Sequence, residues 1–460
     1  MLIRKSEGFT STETLLHKLA EKTFLKLWCY LNPFKKNNKE LCDLIGFFEN
    51  HIFIFFDKNI NSYKNTPNLN LAWERWYREV VSKQIKQARQ AEKYLLKSFP
   101  LFLDAKLENQ LPIQYSAENL IIHKIIIGHG ASEPAHEFYA GKSSSSMMIS
   151  YEEDFEENPN LNIPFLVRLN KFERVHFFDS YSLEIIFNEL DTISDFTNYL
   201  NEKERLIHNQ KILTYCGEED LLAVYFQNYN VDKNGYSLNF NTNVSNICIT
   251  EGDWKDFSTS QIYLNKKQKD QISYIWDKII QVTCQNALEG ILLGNSDIFN
   301  GKSAIVEMAK ESRFSRRILS GHLKEAIICA HKLPVSPNKI QQVLRAFQKP
   351  SSKDVFYVFL LIIHPVLMGY EKEDENYRKV RQHMLNIACG TLKNKLPNLK
   401  KVIGIAAYIP GTKEMGNSDD FILLECEEWT EFQKNYYLEE NRIINFFNNM
   451  DFNYGKSSDF

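Results

Sequence analysis

Two acidic residues and a lysine lie at the ends of two apolar segments near the N-terminus, and their types suit the hydrolysis of a phosphate ester. Asp43 lies near the start of the first apolar segment, and Asp57 and Lys58 directly follow the second. A carboxylate can hold Mg²⁺, which polarises a phosphate and activates water, while a lysine stabilises the charge that develops. The sequence therefore predicts a candidate site where these residues meet.

The two apolar segments predict a buried β-hairpin. Residues 41–48 and 52–56 are rich in Ile and Phe, and Glu49-Asn50 separates them. A two-residue loop there pairs the residues on either side of it and so fixes the register.

That register places the charged residues together. Phe48 pairs with His51, so Asp43 lies opposite Phe56. Because side chains alternate along a strand, Asp43 then shares a face with Phe56 and, diagonally, with Lys58. A carboxylate and an ammonium group are therefore expected at the far end of an otherwise apolar hairpin.

This arrangement resembles the PD-(D/E)xK nuclease superfamily, in which a helix precedes a strand bearing Asp and the next strand bears an acidic residue two positions before a Lys. Asp43 matches the first acid and Lys58 matches the lysine. The resemblance implies a restriction-endonuclease-like mixed sheet flanked by helices, with Mg²⁺ or Mn²⁺ as cofactor. It also implies a helix beside the site, matched here by the amphipathic segment 72–97. Within that helix Gln87 is the residue expected to orient water or Lys58.

One position departs from the superfamily pattern. Phe56 stands two residues before Lys58, where the superfamily has Asp or Glu. In a regular strand Asp57 points to the opposite face, so a bulge or the strand end must turn it inwards, or Glu40 must supply the second metal carboxylate. If neither happens, the expectation is a non-catalytic binding or scaffold protein that retains a nuclease-like fold.

A looser resemblance extends over most of the chain. A group of uncharacterised bacterial proteins carries an ELCDL-type segment like residues 40–44, a hairpin ending in Asp-Lys, and a Trp-rich helix like residues 73–77. This group brings no established activity. Members of the nuclease superfamily are common in restriction and anti-phage defence, which sets the biological expectation.

Basic residues elsewhere suggest contacts with nucleic acid. Arg313, Arg316 and Arg317 surround an aromatic residue, an arrangement that suits phosphate contact with base or sugar stacking. Lys83, in the helix beside the hairpin, is a further candidate. The alternative for each is the solvated face of a helix.

Histidine and glutamate also occur close together after residue 128. His129, Glu133 and His136 have the types of metal ligands, but Gly128 and Pro134 interrupt any single helix face that could align them. The sequence therefore places them in a loop.

Composition sets wider bounds. The 460 residues include 55 basic and 58 acidic side chains, so any contact with nucleic acid must use a local basic surface. Eight cysteines are scattered without a CxxC pair, the first 16 residues lack a signal-peptide pattern, and the longest apolar run, 355–368, is too short for a membrane span. These features favour a cytoplasmic protein without a membrane partner.

The sequence predicts a multi-domain α/β protein. Composition shifts most sharply near 140–162, which suggests a nuclease-like domain over 1–140 and a mixed α+β region over 160–460, in one or two subdomains. The second region is expected to recognise a substrate, bind a partner or restrain the first. The function expected overall is metal-dependent cleavage of DNA or RNA, with a protein partner or an oligomer left open.

Overall fold

The computed structural model of the chain describes residues 8, 10–61, 63, 68–139, 147–153, 163–230, 235–240, 244–288, 297–333, 341–363, 375–408 and 419–448. The chain packs into two compact units, residues 2–265 and residues 266–460. Most of the boundary region expected near 140–162 lies outside the described residues.

Helices and strands alternate along the whole described part of the chain. The helices are α1 Ser11–Trp28, α2 Leu69–Trp76, α3 Lys83–Leu95, α4 Ser132–Phe138, α5 Ser180–Glu189, α6 Ile193–Asn209, α7 Glu218–Gln227, α8 Asp253–Thr259, α9 Gln261–Asp270, α10 Tyr274–Leu288, α11 Asp297–Ala309, α12 Arg313–His331, α13 Glu375–Lys395 and α14 Glu431–Ile444. The strands are β1 Cys29–Leu31, β2 Leu44–Phe48, β3 His51–Asn59, β4 Ile121–His129, β5 Met148–Glu152, β6 Leu166–Asn170, β7 Val175–Asp179, β8 Ile212–Tyr215, β9 Tyr229–Asn230, β10 Gly235–Tyr236, β11 Asn246–Ile249, β12 Gln341–Gln348, β13 Val355–Ile363, β14 Lys401–Tyr408 and β15 Asp420–Glu425.

The predicted hairpin forms the middle of a five-stranded sheet with the order β1-β2-β3-β4-β7. β2 and β3 are antiparallel, and Phe48 pairs with His51 across the two-residue loop, as the sequence predicted. Glu49 in that loop has a φ of 53°, in the left-handed region that such tight turns require. The hairpin and its register are therefore confirmed.

The other half of this sheet is parallel. β3 pairs in parallel with β4, and β4 pairs in parallel with β7. Because β7 comes after residue 162, the sheet crosses the boundary that the composition suggested. The first compact unit accordingly extends to residue 265. Its end depends on pairing between strands that are distant in the sequence, and local composition does not report such pairing.

Aromatic packing fixes one face of the sheet. The ring of Phe24 in α1 lies 4.9 Å from that of Phe53 and 5.8 Å from that of Phe55, measured between centroids. It also contacts Phe187 of α5 and Phe196 of α6. Phe24 is fully buried, and truncating such a side chain to Ala typically costs about 3–5 kcal/mol.

The opposite face is covered by the predicted long helix. It runs as α2, a π-helical segment Tyr77–Ser82 and α3. The amphipathic character predicted for the segment 72–97 is confirmed, because five residues at helical spacing along it are all buried: Val81, Ile85, Ala88, Ala91 and Leu95. Trp76 also lies against the sheet, where a Cβ at Gly128 would approach both Trp76 and Phe177 to 2.9 Å. Glycine is thus required at this position.

The remaining sheets complete the two units. In the first unit, β11-β8-β5-β6 form a four-stranded mixed sheet and β9 pairs with β10. In the second unit, β12-β13-β14-β15 form another mixed sheet, on which α13 packs Leu385, Ala388 and Leu392. The α/β, multi-domain class predicted from the sequence is therefore confirmed.

Two further properties of the described residues bear on the cell biology. None of their helices combines the length and apolar character needed to cross a bilayer. None of the eight cysteines forms a disulfide.

Candidate active site

Three parallel strands of the first sheet end side by side, and each carries a polar residue at its end. β3 ends with Asp57-Lys58-Asn59, β4 ends with His129, and β7 ends with Asp179. The register pairs Asn59 with His129, so these ends lie at one edge of the sheet. Asp43 precedes the antiparallel strand β2 and reaches the same edge. This is the edge where open α/β sheets commonly bind ligands.

Asp43 and Asp57 are in direct contact. The backbone N–H of Asp57 donates a hydrogen bond of 2.5 Å to Oδ2 of Asp43. Burial, together with the negative charges of Glu40 and Asp57, raises the pKa of Asp43 to about 7, although the hydrogen bond from Asp57 opposes this shift. The pKa of Glu40 is also raised, by burial first and by Glu13 second. Three carboxyl groups that the sequence singled out therefore influence one another at this edge.

The carboxylate of Asp57 is almost completely buried, with its side chain 1% exposed. Nε2 of His129 lies 2.7 Å from its Oδ1, an ion-pair distance. Even so, the angle is not that of a hydrogen bond, and among the described residues neither carboxylate oxygen has a hydrogen-bond partner. A buried acceptor without a partner costs about 1–3 kcal/mol, and more when it is charged. Such oxygens fit a cation as their partner, and oxygen ligands suit Mg²⁺ or Mn²⁺.

His129 joins this carboxylate to the rest of the edge. Its backbone carbonyl accepts a 2.8 Å hydrogen bond from Nε1 of Trp76, which fixes the strand end. Its Nδ1 lies 2.7 Å from Oγ of Ser180, the first residue of α5. The sequence interpretation of His129 as a loop residue is therefore wrong, because parallel pairing extends β4 through this position. The prediction of a loop is also wrong for Glu133 and His136, which lie in the short helix α4, with Pro134 in its first turn.

Ser180, His129 and Asp57 are the residue types of a serine hydrolase, but the surrounding amides do not complete one. The backbone N–H groups of Tyr181 and Ser182 both donate to Oδ1 of Asp179, at 3.1 and 2.8 Å. They are consequently occupied, and α5 offers neither of them to an oxyanion. Oδ2 of Asp179 accepts from Ser132, so this carboxylate serves as a structural cap.

Lys58 and Phe56, the two neighbours of Asp57 in β3, do not take part in the contacts between the carboxyl groups. Lys58 is partly exposed and points to the face opposite Asp57, since neighbouring side chains of a strand alternate. The pKa of the exposed Glu79 is lowered chiefly by a hydrogen bond from Lys83, and the positive charge of Lys58 lowers it further. Phe56 is buried, 3% exposed, in the sheet core. Among the described residues Lys58 forms no ion pair within 4.0 Å, and its ammonium group is therefore available to a ligand.

Gln87 and Lys83 both lie on the exposed side of α3, away from the sheet. The buried glutamine of this helix is Gln84, which donates 3.4 Å to the backbone carbonyl of Glu79. Gln87 thus does not face the carboxylates. The predicted apolar face of the helix explains this, because its buried positions place residue 87 on the opposite side.

The three arginines predicted to bind nucleic acid lie at the start of α12, and two are deeply buried. Arg313 and Arg316 both form ion pairs with Asp277, and Arg316 also donates to the backbone carbonyls of Glu311 and Ala309. Arg317 lies 3.4 Å from Asp270. The prediction of an exposed phosphate-binding group is therefore wrong for Arg313 and Arg316, whose charges are used inside the fold.

His129 and Asp179 were missed as site residues by sequence reasoning. The available signal was their position at the ends of apolar runs, where strand ends are expected: Asp179 directly follows 175–178, and His129 follows 121–127 after Gly128. In comparisons with known proteins, the chain matches no family model, no curated protein and no solved structure.

Proposed function

We propose that the first unit is a metal-dependent nuclease that hydrolyses phosphodiester bonds in DNA or RNA, with Mg²⁺ or Mn²⁺ bound at the carboxyl end of the first sheet. The observation that carries the proposal is the Asp57 carboxylate: it is buried, its negative charge acts on Asp43, whose Oδ2 accepts from the Asp57 backbone N–H, and its two oxygens have no hydrogen-bond partner among the described residues. A divalent cation would satisfy these oxygens and relieve the repulsion between the carboxylates.

Each side chain has a role in this mechanism. Asp43 and Asp57 would hold the metal, whereas oxygens of Asp43, Asp57 and Glu40 do not all lie within 4.8 Å of one another, so Glu40 does not complete a set of three ligands. His129 positions the Asp57 carboxylate from 2.7 Å away. A bound Mg²⁺ would polarise the scissile phosphate and lower the pKa of the attacking water. Lys58 would stabilise the negative charge of the phosphate as it develops, which requires a phosphate that spans the strand end, since this side chain points to the face opposite Asp57.

The choice of nucleic acid as substrate rests on the resemblance to the PD-(D/E)xK superfamily, and DNA is the first expectation. The same resemblance suggests a role in bacterial anti-phage defence. A cytoplasmic location, a restraining role for residues 266–460, and a protein partner or an oligomer are parts of this proposal too.

The test is cleavage of plasmid, linear single-stranded DNA and RNA by the full chain, with Mg²⁺ and then with Mn²⁺. Asp43→Asn and Asp57→Asn keep the size of each side chain and remove its charge, and Glu108→Gln, an exposed site in the same unit, is the matched control. We expect metal-dependent cutting by wild type and the control, and loss in both aspartate variants. Equal cutting by all four proteins would refute the site.

A second candidate function is a non-catalytic binding or scaffold protein with a nuclease-like fold. The observation that favours it is Phe56, buried where the superfamily pattern has an acidic residue. This alternative predicts no cutting with any metal, although nucleic acid or a protein still binds. Gel-shift measurements on the same variants separate the two functions, because Asp43→Asn then leaves binding unchanged.

A further inference from the structure

Three histidines and a glutamate cluster at the opposite end of the same sheet. His51 is the first residue of β3, His123 lies near the start of β4, and His176 near the start of β7. All three side chains project to the face of the sheet that α1, α5 and α6 cover. Glu204 of α6 contacts His123 and His176 on that face. The register supports this arrangement, because Phe53 pairs with His123 and Ile125 with His176.

The contacts among these side chains are short. Oε1 of Glu204 lies 2.7 Å from Nδ1 of His123 and 3.1 Å from Nε2 of His176. Nε2 of His123 lies 2.9 Å from Nδ1 of His51, whose ring stacks on that of His123. Both His123 and His176 side chains are fully buried, and that of Glu204 is 15% exposed.

These atoms meet the requirements of a metal site. The three ligand atoms, one each from His123, His176 and Glu204, all lie within 4.8 Å of one another, and among the described residues no other group of three His, Cys, Asp or Glu does so. Bonds of about 2.0–2.1 Å to zinc place tetrahedral ligands roughly 3.3–3.5 Å apart, so the separations of 2.7 and 3.1 Å between Glu204 and the two histidines would lengthen by about 0.2–0.8 Å on binding.

The surroundings support the same conclusion. His51 contacts the other nitrogen of His123, as the outer partners of metal-binding histidines do. Arg174 binds Oε2 of Glu204 at 3.0 Å and leaves Oε1 directed at the histidines.

We propose that His123, His176 and Glu204 bind one divalent transition-metal ion, with Zn²⁺ as the ion that this ligand set fits best. Two imidazoles and one carboxylate select zinc over Mg²⁺, and three protein ligands leave a fourth position for water. Glu204 is the most exposed of the three side chains and Arg174 beside it is 51% exposed, so the ion enters from this side. The inference is independent of the nuclease proposal, because it uses different residues at the other end of the sheet.

The experiment measures binding of ZnCl₂ to metal-free full-length protein by calorimetry, with CoCl₂ absorption as a second readout. It is done in the Asp43→Asn/Asp57→Asn background, so that the carboxylate site does not contribute. We expect one Zn²⁺ per chain, and a d–d band of cobalt in a four- or five-coordinate nitrogen and oxygen environment.

Glu204→Gln and His176→Gln test the ligands, with His136→Ala, an exposed histidine of the same unit, as control. Each ligand variant should lower the affinity for Zn²⁺ by roughly 100-fold or more, while the control leaves it unchanged. Circular dichroism verifies that every variant is folded. Absence of stoichiometric Zn²⁺ binding to the folded background protein, or equal affinity in both ligand variants, would overturn the proposal and leave a hydrogen-bonded network only.

Discussion

The two ends of the first sheet present opposite kinds of polar chemistry. The carboxyl end gathers Asp43, Asp57 and Glu40, and both oxygens of Asp57 have no hydrogen-bond partner among the described residues. The amino end gathers His123, His176 and Glu204, which contact one another closely. One end thus offers oxygen ligands to a hard cation, and the other offers mainly nitrogen ligands to a borderline one.

This difference teaches how one sheet can separate two ion preferences. His123 and His129 lie in the same strand, six residues apart, and the strand rises about 3.3 Å per residue, so the two ends are roughly 20 Å apart. At that distance no ligand residue is shared by the two ends, and no side chain of one set contacts the other. The two ends should therefore act independently, and the following predictions test that independence.

The largest expected effect is a crossed loss of function. Asp57→Asn should lower the rate of Mg²⁺-dependent cleavage at least about 100-fold, since a metal ligand is lost, but leave the affinity for Zn²⁺ within about threefold. Glu204→Gln should do the reverse. Initial rates of plasmid nicking and calorimetric titrations on the same two variants check this. If either variant loses both properties while remaining folded, the two ends are coupled.

The second effect concerns stability. Zn²⁺ at 100 times its dissociation constant should raise the free energy of unfolding of the first unit by about 2.7 kcal/mol, because the ion binds the folded state only. Mg²⁺ at the same concentration should not substitute for it at the histidines. Chemical denaturation followed by fluorescence, with and without each ion, measures the difference. An identical increase in His176→Gln would show that the stabilisation arises elsewhere.

A third, smaller effect is a pH dependence at the carboxyl end. The pKa of Asp43 is 3.8 in an ordinary environment and about 7 in the folded protein. Between these values the folded state binds more protons than the unfolded state, so stability falls as pH rises from about 4 to 7. In metal-free protein Asp43→Asn should therefore be more stable than wild type at pH 8, by about 1–3 kcal/mol, with little gain at pH 4. A urea denaturation series across this range decides the matter, and a constant difference at all pH values would contradict it.

The smallest effect is expected at Ser180. If Asp57 is a metal ligand and His129 only positions it, Ser180→Ala removes one hydrogen bond and should change the cleavage rate less than about threefold. A loss comparable with that of Asp57→Asn would instead identify Ser180 as a nucleophile. Steady-state rates for Ser180→Ala and for Ser132→Ala, the neighbouring serine that binds Asp179, provide the matched pair.

The sequence predicted what depends on local pattern. The hairpin register follows from a two-residue loop, and the buried face of the segment 72–97 follows from helical spacing, so both were correct. The placement of His129 and Asp179 depends on parallel pairing between distant strands, which no local pattern reports. Arg313 and Arg316 were misjudged for a related reason: their partner Asp277 lies 36 and 39 positions earlier in the chain.

The parallel pairing of β3 with β4 also has a consequence for synthesis on the ribosome. Asp57 pairs with Ile127, 70 positions later, whereas β2 and β3 are neighbours in the chain. The hairpin can therefore form early, but one edge of β3, lined with Ile and Phe, stays uncovered until β4 has been translated. An open apolar edge is a template for association with other chains. The nascent protein should accordingly need protection by a chaperone during that interval, and slowing translation between residues 60 and 120 should increase aggregation.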